Sequence, residues 1–499
     1  MMNIPETSRL SEPLLRQAAM ALATVLAPHG PADAKLSAYF RENPKLGSKD
    51  RAFIAETVYQ VLRRRRLLEY LADGPDARKL LLAVLLRTQG ISLRDLGPLL
   101  SKQQTEWAHA IKAKSTEGLP LALQADLPDW LWEKLALQYG PEQALTLARA
   151  MHQGAPLDLR VNRLNGNREA VLALFSKENI AAAPTPYSPD GVRLKEKIAL
   201  NKHVLFQKGV VEVQDEGSQL LALLLAPRRG EMVADFCAGA GGKTLALGAL
   251  MANSGRLYAF DVSEKRLANL RPRLARSGLS NIHPQLIANE RDQKLKRLAQ
   301  KFDRVLVDAP CSGLGTLRRN PDLKWRQSKQ DIDELTAKQA AILEAAAKLV
   351  KPGGRLVYAT CSLLREENES IVEAFLAQQS AFKPVSAAEI LAQQRIALDT
   401  GVTLKLLPHV HGTDGFFAAA FERTAAGSGP ELQPTTEPVP VKAEALAPAR
   451  PAKKKPATPV KPEPAAVPDK PAASRTRPAA TAKKPAARAK KPAKPEVEE

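Results

Sequence analysis

Cysteine is scarce in this chain, which has three cysteines among 499 residues. An odd and sparse number argues against a disulfide framework and favours a reducing compartment, so we expect a cytoplasmic protein. The cysteines form no Cys-x-x-Cys pair, and the seven histidines form no cluster. Because structural zinc sites need such groups of ligands, we expect no metal site.

Long apolar runs are also missing. The longest candidate, Leu80 to Leu86, is bounded by Lys79 and Arg87 and is far shorter than the ~20 residues that a membrane helix needs. We therefore predict a buried helix there. The first residues do not combine a basic region with an apolar core, so we expect no secretory signal.

Acidic residues are too few to balance the basic ones. The chain has 73 Lys and Arg against 53 Asp and Glu, and its formal net charge is +20. A basic excess of this size favours a polyanionic partner, either a nucleic acid or an anionic membrane surface.

Composition divides the chain into four predicted parts. Residues 1–150 read as helical, and their basic run Arg63 to Arg66 is either a solvated helix end or a phosphate-binding patch. Residues 151–212 mix strand and helix patterns and predict a small α+β module, in which Arg160, Asn162 and Arg163 could face a nucleic acid. Residues 425–499 are rich in Pro, Ala and Lys and lack aromatic residues, which predicts a disordered basic tail.

Residues 213–424 alternate apolar strands with helices. The strand candidates are Met232 to Phe236, Leu257 to Asp261, Pro284 to Ala288, Arg304 to Asp308, Arg355 to Thr360 and Phe416 to Glu422. This alternation is typical of an α/β fold with a doubly wound, mostly parallel, Rossmann-like sheet.

A glycine-rich turn follows the first of these strands, at Asp235 to Thr244. A phosphate-binding P-loop would need glycine at the position of Cys237, and a dinucleotide fingerprint would need glycine at Thr244. S-adenosylmethionine (SAM) fits better, because it requires a tight glycine turn and an acid at the tip of the second strand for the ribose hydroxyls. Asp261 is that acid, since a carboxylate can accept two hydrogen bonds from a diol.

Two of the three cysteines follow buried strand candidates. Cys311 lies in the turn Asp308-Ala-Pro-Cys-Ser-Gly313, and Cys361 lies in Thr360-Cys-Ser362. Both should therefore reach the carboxyl edge of one sheet, where open α/β folds build their sites. A thiolate there suits covalent catalysis. The basic run Arg318 to Arg326, which includes Trp325, is either a solvated loop or an RNA contact at the mouth of the site, and we favour the contact.

These motifs together resemble the RNA cytosine-5 methyltransferases of the Sun-domain family, in particular the bacterial members that act on small-subunit ribosomal RNA. The specific motifs lie within residues 213–424, and a weaker likeness to an antitermination-factor-type RNA-binding domain covers residues 1–150. The resemblance implies Cys361 as nucleophile, Cys311 in product release and Asp308 beside the cytosine ring. It places the SAM contacts on Cys237, Ala238, Gly239, Ala240, Gly241, Gly242, Lys243, Asp261, Asn289 and Asp308.

The resemblance implies a monomer that acts on an unstacked cytosine in RNA, expected to be 16S ribosomal RNA, with no membrane partner. The turn departs from the family pattern because Ala240 replaces a proline, and Asn289 replaces an acid. A tRNA substrate stays open. A DNA methyltransferase is disfavoured because those enzymes use a single Pro-Cys nucleophile, and a non-catalytic ribosome-assembly factor is disfavoured because both thiols are present.

Overall fold

Helices follow one another through the first third of the chain. The structure, a computed structural model, describes residues 10–28, 30–196 and 198–424; the predicted tail lies outside the described residues. The helices of this first part are α1 Glu12–Leu26, α2 Ala32–Glu42, α3 Ser48–Arg63, α4 Arg65–Ala72, α5 Ala77–Ala83, α6 Leu93–Leu96, α7 Lys102–Ala113, α8 Leu121–Gln124, α9 Asp129–Tyr139 and α10 Pro141–Met151.

Apolar stripes at helical spacing bring these helices together. Leu22 of α1, Ile54 of α3 and Leu80 of α5 are fully buried in one core. Each belongs to a stripe of apolar residues that recurs every three to four positions along its helix and faces the centre of the bundle. The predicted buried helix at Leu80 to Leu86 is confirmed, with a π-helical turn over Val84–Thr88. Helix α3 begins at Ser48, and Gly47 is its N-cap residue.

A small antiparallel sheet follows. Its strands are β1 Leu157–Val161, β2 Ala182–Pro184, β3 Gly191–Leu194 and β4 Val211–Val213, in the order β2-β3-β1-β4. Helix α11 (Arg168–Lys177) connects β1 to β2, and α12 (Val204–Gln207) precedes β4. Phe175 of α11 packs with Leu159 and Val211 in a separate apolar core. The observed elements match the mixed pattern expected for residues 151–212, and the domain boundaries themselves stay a prediction.

The third part contains a sheet of eight strands. Its elements are α13 Glu216–Leu225, β5 Met232–Asp235, α14 Gly242–Leu250, β6 Arg256–Asp261, α15 Glu264–Ser277, β7 Ile282–Leu286, α16 Gln293–Lys296, β8 Phe302–Asp308, α17 Leu323–Arg326, α18 Lys329–Ala347, β9 Val350–Thr360, α19 Glu369–Gln378, β10 Phe382–Val385, α20 Ala387–Ala392, β11 Leu404–Leu406, α21 Pro408–His411 and β12 Phe416–Arg423.

The strand order of this sheet is β10-β12-β9-β8-β5-β6-β7, with β11 paired to β12. Strands β5 to β9 are parallel, and β12 runs antiparallel to β9. Strands β6 and β7 follow β5 on one side of the sheet, and β9 follows β8 on the other side. The chain order therefore reverses between β5 and β8, and this is the switch point where α/β folds bind ligands. The predicted Rossmann-like doubly wound sheet is confirmed.

One strand lies two residues earlier than predicted. Strand β7 covers Ile282–Leu286 and pairs only with β6. Pro284 is compatible with this strand because β7 is at the edge of the sheet, where a missing N–H leaves no neighbour unpaired.

Candidate active site

The glycine-rich turn leaves the carboxyl end of β5 and opens helix α14. Gly239 and Gly241 have φ angles of +57° and +84°, a region that side chains disfavour. A Cβ atom on Gly241 would lie 2.1 Å from Leu270 Cδ1, whereas one on Gly239 would meet no atom within 4 Å. The turn is therefore packed on one side and has open space beside Gly239.

Asp261 ends β6 and lies directly beside this turn. One carboxylate oxygen accepts a hydrogen bond from the backbone N–H of Gly239 at 2.8 Å, and the other accepts from Ser263 N–H at 2.7 Å. A carboxylate has about four acceptor positions, so two remain for a ligand diol. The structure thus brings Asp261 and the turn together as the sequence predicted.

A second acid, Asp235, is buried beneath the turn. Burial raises its pKa to about 7, partly opposed by a hydrogen bond from the Thr244 hydroxyl at 2.7 Å. Its other carboxylate oxygen has no hydrogen-bond partner among the described residues. An unpaired buried acceptor, an open glycine backbone and an acid at the second strand tip form a polar set that fits a SAM molecule.

Lys243 links the turn to the neighbouring strand. Its Nζ atom lies 2.7 Å from Oδ2 of Asp308, the last residue of β8. Burial would lower the pKa of Lys243, but Asp308 and, to a smaller extent, Cys361 outweigh burial and raise it. Lys243 is therefore a permanent cation between the predicted cofactor turn and the predicted nucleophile.

The two predicted thiols meet. Cys311 follows β8 and Cys361 follows β9, and their Sγ atoms are 3.3 Å apart. The Cys361 backbone N–H also donates to Cys311 Sγ at 3.3 Å. The hydrogen bond shared with Cys361, followed by burial, raises the pKa of Cys311 well above its ordinary value. The two sulfur atoms are thus close enough to share a hydrogen bond. Burial also raises the pKa of the third cysteine, Cys237, well above its ordinary value.

Two glycines let the backbone segments around the cysteines approach each other. The N–H of Gly315 donates to Cys361 O, and the N–H of Gly415 donates to Gly315 O, each at 2.8 Å. A Cβ atom on Gly315 would lie 2.2 Å from Gly415 O and 2.8 Å from Cys361 O. Sequence reasoning missed the role of Gly315, although it lies four residues beyond Cys311.

Among the described residues, Asn289 forms no hydrogen bond to the glycine turn. It lies in the exposed loop after β7, where its amide oxygen accepts from Arg291 N–H at 2.8 Å. Its predicted contact with the cofactor stays a prediction.

The prediction that the basic run after Cys311 contacts RNA is wrong for Lys324, and Trp325 beside it also has a partner inside the protein. Lys324 is 2% exposed and donates to Arg63 O and Asp126 O at 2.9 and 2.7 Å. The Trp325 indole N–H donates to Leu62 O at 2.9 Å. These side chains fix the loop to the helical part of the chain and are not free for a ligand.

The two arginines at the start of this run are also used internally. Arg318 donates to the carbonyl oxygen of Thr413 at 2.9 Å, and Arg319 pairs with both Asp215 and Asp414. Burial, followed by the neighbouring Asp215, raises the pKa of Asp414 to about 6. The run therefore anchors the Cys311 loop to the segment before β12.

The arginine run at the end of α3 has partners inside the protein as well. Arg64 pairs with the fully buried Asp126 at 2.9 Å, Arg65 pairs with Glu69, and Arg66 pairs with Asp129. Three of the four arginines thus form ion pairs within the protein, and the phosphate-binding patch stays a prediction.

Arg160 does not face a nucleic acid as predicted. It is 5% exposed and donates from β1 to Gly242 O at 2.8 Å. Arg273 donates to Ala240 O at 2.6 Å and pairs with Glu212 of β4 at 3.1 Å. Two arginines therefore hold carbonyl groups of the glycine turn, around the position where the family pattern has proline.

The other two residues predicted to face a nucleic acid also have internal partners. Asn162 is buried and donates to Gly209 O and Ser277 O, so the prediction is wrong for it. Arg163 is more exposed and forms a bidentate pair with Asp190.

Over residues 10–28, 30–196 and 198–424, no helix combines the length and apolar character needed to cross a bilayer. The same residues contain no group of His, Cys, Asp and Glu side chains arranged to hold a metal ion.

Comparisons with known proteins point to one family. Residues 222–422 match the family model for 16S rRNA methyltransferase RsmB/F, and residues 127–201 match its ferredoxin-like domain. The chain is 33% identical over 413 residues to the probable ribosomal RNA small subunit methyltransferase B of Synechocystis sp., covering 76% of this chain and 92% of the relative. It is 35% identical over 402 residues to the ribosomal RNA small subunit methyltransferase B of Sodalis glossinidius, covering 75% and 90%.

Solved structures give the same result for the fold. The crystal structure of PH0851 superposes with a TM-score of 0.67 at 25% identity and covers 83% of this chain and 99% of that one. A methyltransferase homolog protein from Pyrococcus horikoshii superposes with a TM-score of 0.53 at 29% identity, covering 62% and 100%.

Proposed function

Because the chain belongs to the family of 16S rRNA methyltransferases RsmB/F, we propose that it transfers a methyl group from SAM to carbon 5 of a cytosine in 16S ribosomal RNA. The observation that supports this chemistry most directly is the 3.3 Å separation of Cys311 Sγ and Cys361 Sγ. Two thiols at the ends of adjacent parallel strands, beside the Lys243–Asp308 pair, supply a nucleophile and a proton acceptor without further groups.

In the proposed reaction the Cys361 thiolate adds to carbon 6 of the cytosine. A bond forms between sulfur and carbon 6, the ring loses its aromaticity, and carbon 5 becomes nucleophilic. Bound SAM would supply the electrophilic methyl group. Asp308 would donate a proton or a strong hydrogen bond to ring nitrogen 3 as charge develops, and the Lys243 ammonium group, 2.7 Å from Asp308, would stabilise the carboxylate that this leaves.

Product release needs a base. The ring keeps a proton on carbon 5 after methylation, and the double bond between carbons 5 and 6 can re-form only when that proton leaves. We assign its removal to Cys311, which must act as a thiolate at this stage and therefore first loses its own proton to solvent. As Cys311 takes the proton from carbon 5, the double bond re-forms, the sulfur–carbon bond breaks and Cys361 leaves as a thiolate. The base must be unstacked to reach both sulfurs, so the substrate is a single-stranded or extruded cytosine.

The residues that would hold SAM are those around the glycine turn. We assign the cofactor contacts to Cys237 through Lys243, with Asp261 accepting from the ribose diol. Asp308 has a second predicted role there, and Asn289 stays a candidate. We also propose that the helical part and the small sheet contribute to RNA binding, in agreement with the net charge of +20.

The first experiment distinguishes the roles of the two cysteines. We expect Cys361→Ala to abolish methylation and to form no covalent RNA adduct, because it lacks the attacking sulfur. We expect Cys311→Ala to attack and methylate once, so that a slowly migrating adduct accumulates in denaturing gels. The double variant is the control and should show no adduct. Adduct accumulation in Cys361→Ala alone would reverse the two roles.

The substrate is tested separately. Labelled SAM is offered with total rRNA, tRNA and DNA, and bisulfite sequencing then locates the modified cytosine in RNA from cells with and without the protein. Label in 16S rRNA supports the proposal. Label in tRNA alone would make the protein a tRNA methyltransferase, and no transfer to any of the three would favour an assembly factor.

A further inference from the structure

A buried carboxylate lies behind the two cysteines, outside the proposed reaction. Glu367 is fully buried. One of its oxygens accepts from the Ser312 backbone N–H at 2.8 Å and from Gln339 Nε2 at 3.0 Å. The other accepts from the hydroxyls of Ser312, at 2.6 Å, and Ser362. These four donors fill the roughly four acceptor positions of a carboxylate.

The two serines directly follow the two cysteines in sequence. Ser312 is the neighbour of Cys311, and Ser362 is the neighbour of Cys361. One side chain therefore holds both cysteine turns, although these are 50 residues apart in sequence. Because the hydrogen bonds to Glu367 are buried and charge-assisted, they are stronger than ordinary neutral ones. The carboxylate fixes the positions of the adjacent thiols.

The two thiols have different charged neighbours. Glu367 is among the groups that raise the pKa of Cys311, after the hydrogen bond with Cys361 and burial. Lys243, by contrast, has its pKa raised by Asp308 and then by Cys361, against burial. Glu367 thus acts on Cys311, and the Lys243 ammonium group interacts with Cys361.

We propose that Glu367 is a positioning residue that holds Ser312 and Ser362 together, fixes the separation of the two thiols and disfavours the thiolate form of Cys311 until Cys361 has reacted. The inference rests on the proposed function, because the assignment of nucleophile and base depends on which sulfur is ionised. It extends that function by naming the group that makes two similar cysteines unequal.

The experiment measures the alkylation rate of each of the two cysteines and needs no RNA. The full-length protein is alkylated with iodoacetamide over a range of pH, and mass spectrometry follows the peptide that contains each cysteine. In the wild type we expect Cys361 to react first, since the thiolate is the reactive form. In Glu367→Gln we expect the rate at Cys311, relative to Cys361, to rise about tenfold and its pH profile to move to lower pH.

The neighbouring Glu366→Gln is the matched control. Glu366 pairs with Lys134 and is 41% exposed, so its substitution removes the same charge one residue away and should leave both rates unchanged. An unchanged ratio of rates in a folded Glu367→Gln protein would overturn the inference. So would the same change in Glu366→Gln, because a general loss of negative charge would then explain it.

A second variant covers the case in which Glu367→Gln does not fold. Glu367→Asp keeps the charge but is one methylene shorter, so we expect Cys361 still to react first while the turnover number for methylation falls and KM for SAM stays unchanged. Loss of the alkylation order in Glu367→Asp would overturn the inference. Absence of methylation in the wild type would contradict the proposed function and leave the alkylation result as an independent measurement.

Discussion

Replacement of Lys324 by methionine tests the junction between the Cys311 loop and the helical part. The Lys324 ammonium group donates to Arg63 O and Asp126 O. Its pKa is lowered from 10.5 to about 8 mainly by burial, which Asp126 opposes and Arg64 and Arg63 reinforce. Methionine keeps most of the side-chain volume and removes the titration.

The sign of the effect follows from the direction of this shift. The unfolded chain binds the proton of Lys324 more tightly than the folded protein does, so folding releases a proton between about pH 8 and pH 10.5. The free energy of unfolding therefore rises with pH in this window. The difference between the two pKa values corresponds to about 3 kcal/mol, most of it gained by about pH 10.

The assay is urea unfolding of the full chain, followed by circular dichroism at several values between about pH 7 and pH 10. We expect the free energy of unfolding of the wild type, minus that of Lys324→Met, to grow by about 2–3 kcal/mol across the range. Lys329→Met is the control, because Lys329 is 63% exposed and lies 3.9 Å from Glu133. Parallel pH curves for wild type and Lys324→Met, with equal m-values, would refute the reasoning.

Two further predictions concern the cofactor and the tail. We expect Asp261→Ala to weaken SAM binding about tenfold or more, since charge-assisted hydrogen bonds are lost, and to leave RNA affinity unchanged; calorimetry that finds equal SAM affinity would contradict the assignment. We expect removal of residues 425–499 to leave the thermal midpoint unchanged, because their composition lacks core-forming residues, and to flatten the salt dependence of RNA binding. A large loss of thermal stability on truncation would contradict this second prediction.

The arrangement of the two cysteines could be predicted because local patterns determined it. Apolar strands at 302–308 and 350–360 are recognisable from composition, and small-residue turns after parallel strands must reach the same edge of a sheet. The same logic brought Asp261 to the glycine turn. These positions follow from strand periodicity and from the parallel order of the sheet.

The partners of the basic residues could not be predicted from the sequence, for a physical reason. These partners are far away in sequence: Asp126 is 62 residues from Arg64, and its carbonyl oxygen is 198 residues from Lys324. A run of charges looks the same in sequence whether it is solvated, binds RNA or forms buried pairs. Glu367 was missed as a positioning residue for a related reason, because a glutamate in a short turn gives no sign that it is buried.

The hydrogen bonds from Arg160 and Arg273 to the glycine turn have a consequence for substitutions in this protein. Arg160 belongs to the small sheet, and Arg273 is held by Glu212 of the same sheet. A substitution at any of these positions would disturb the turn, so the small sheet and the Rossmann-like part of the chain are coupled through these side chains. Residues after 213 therefore do not include every side chain that supports the glycine turn, because Arg160 and Glu212 precede them.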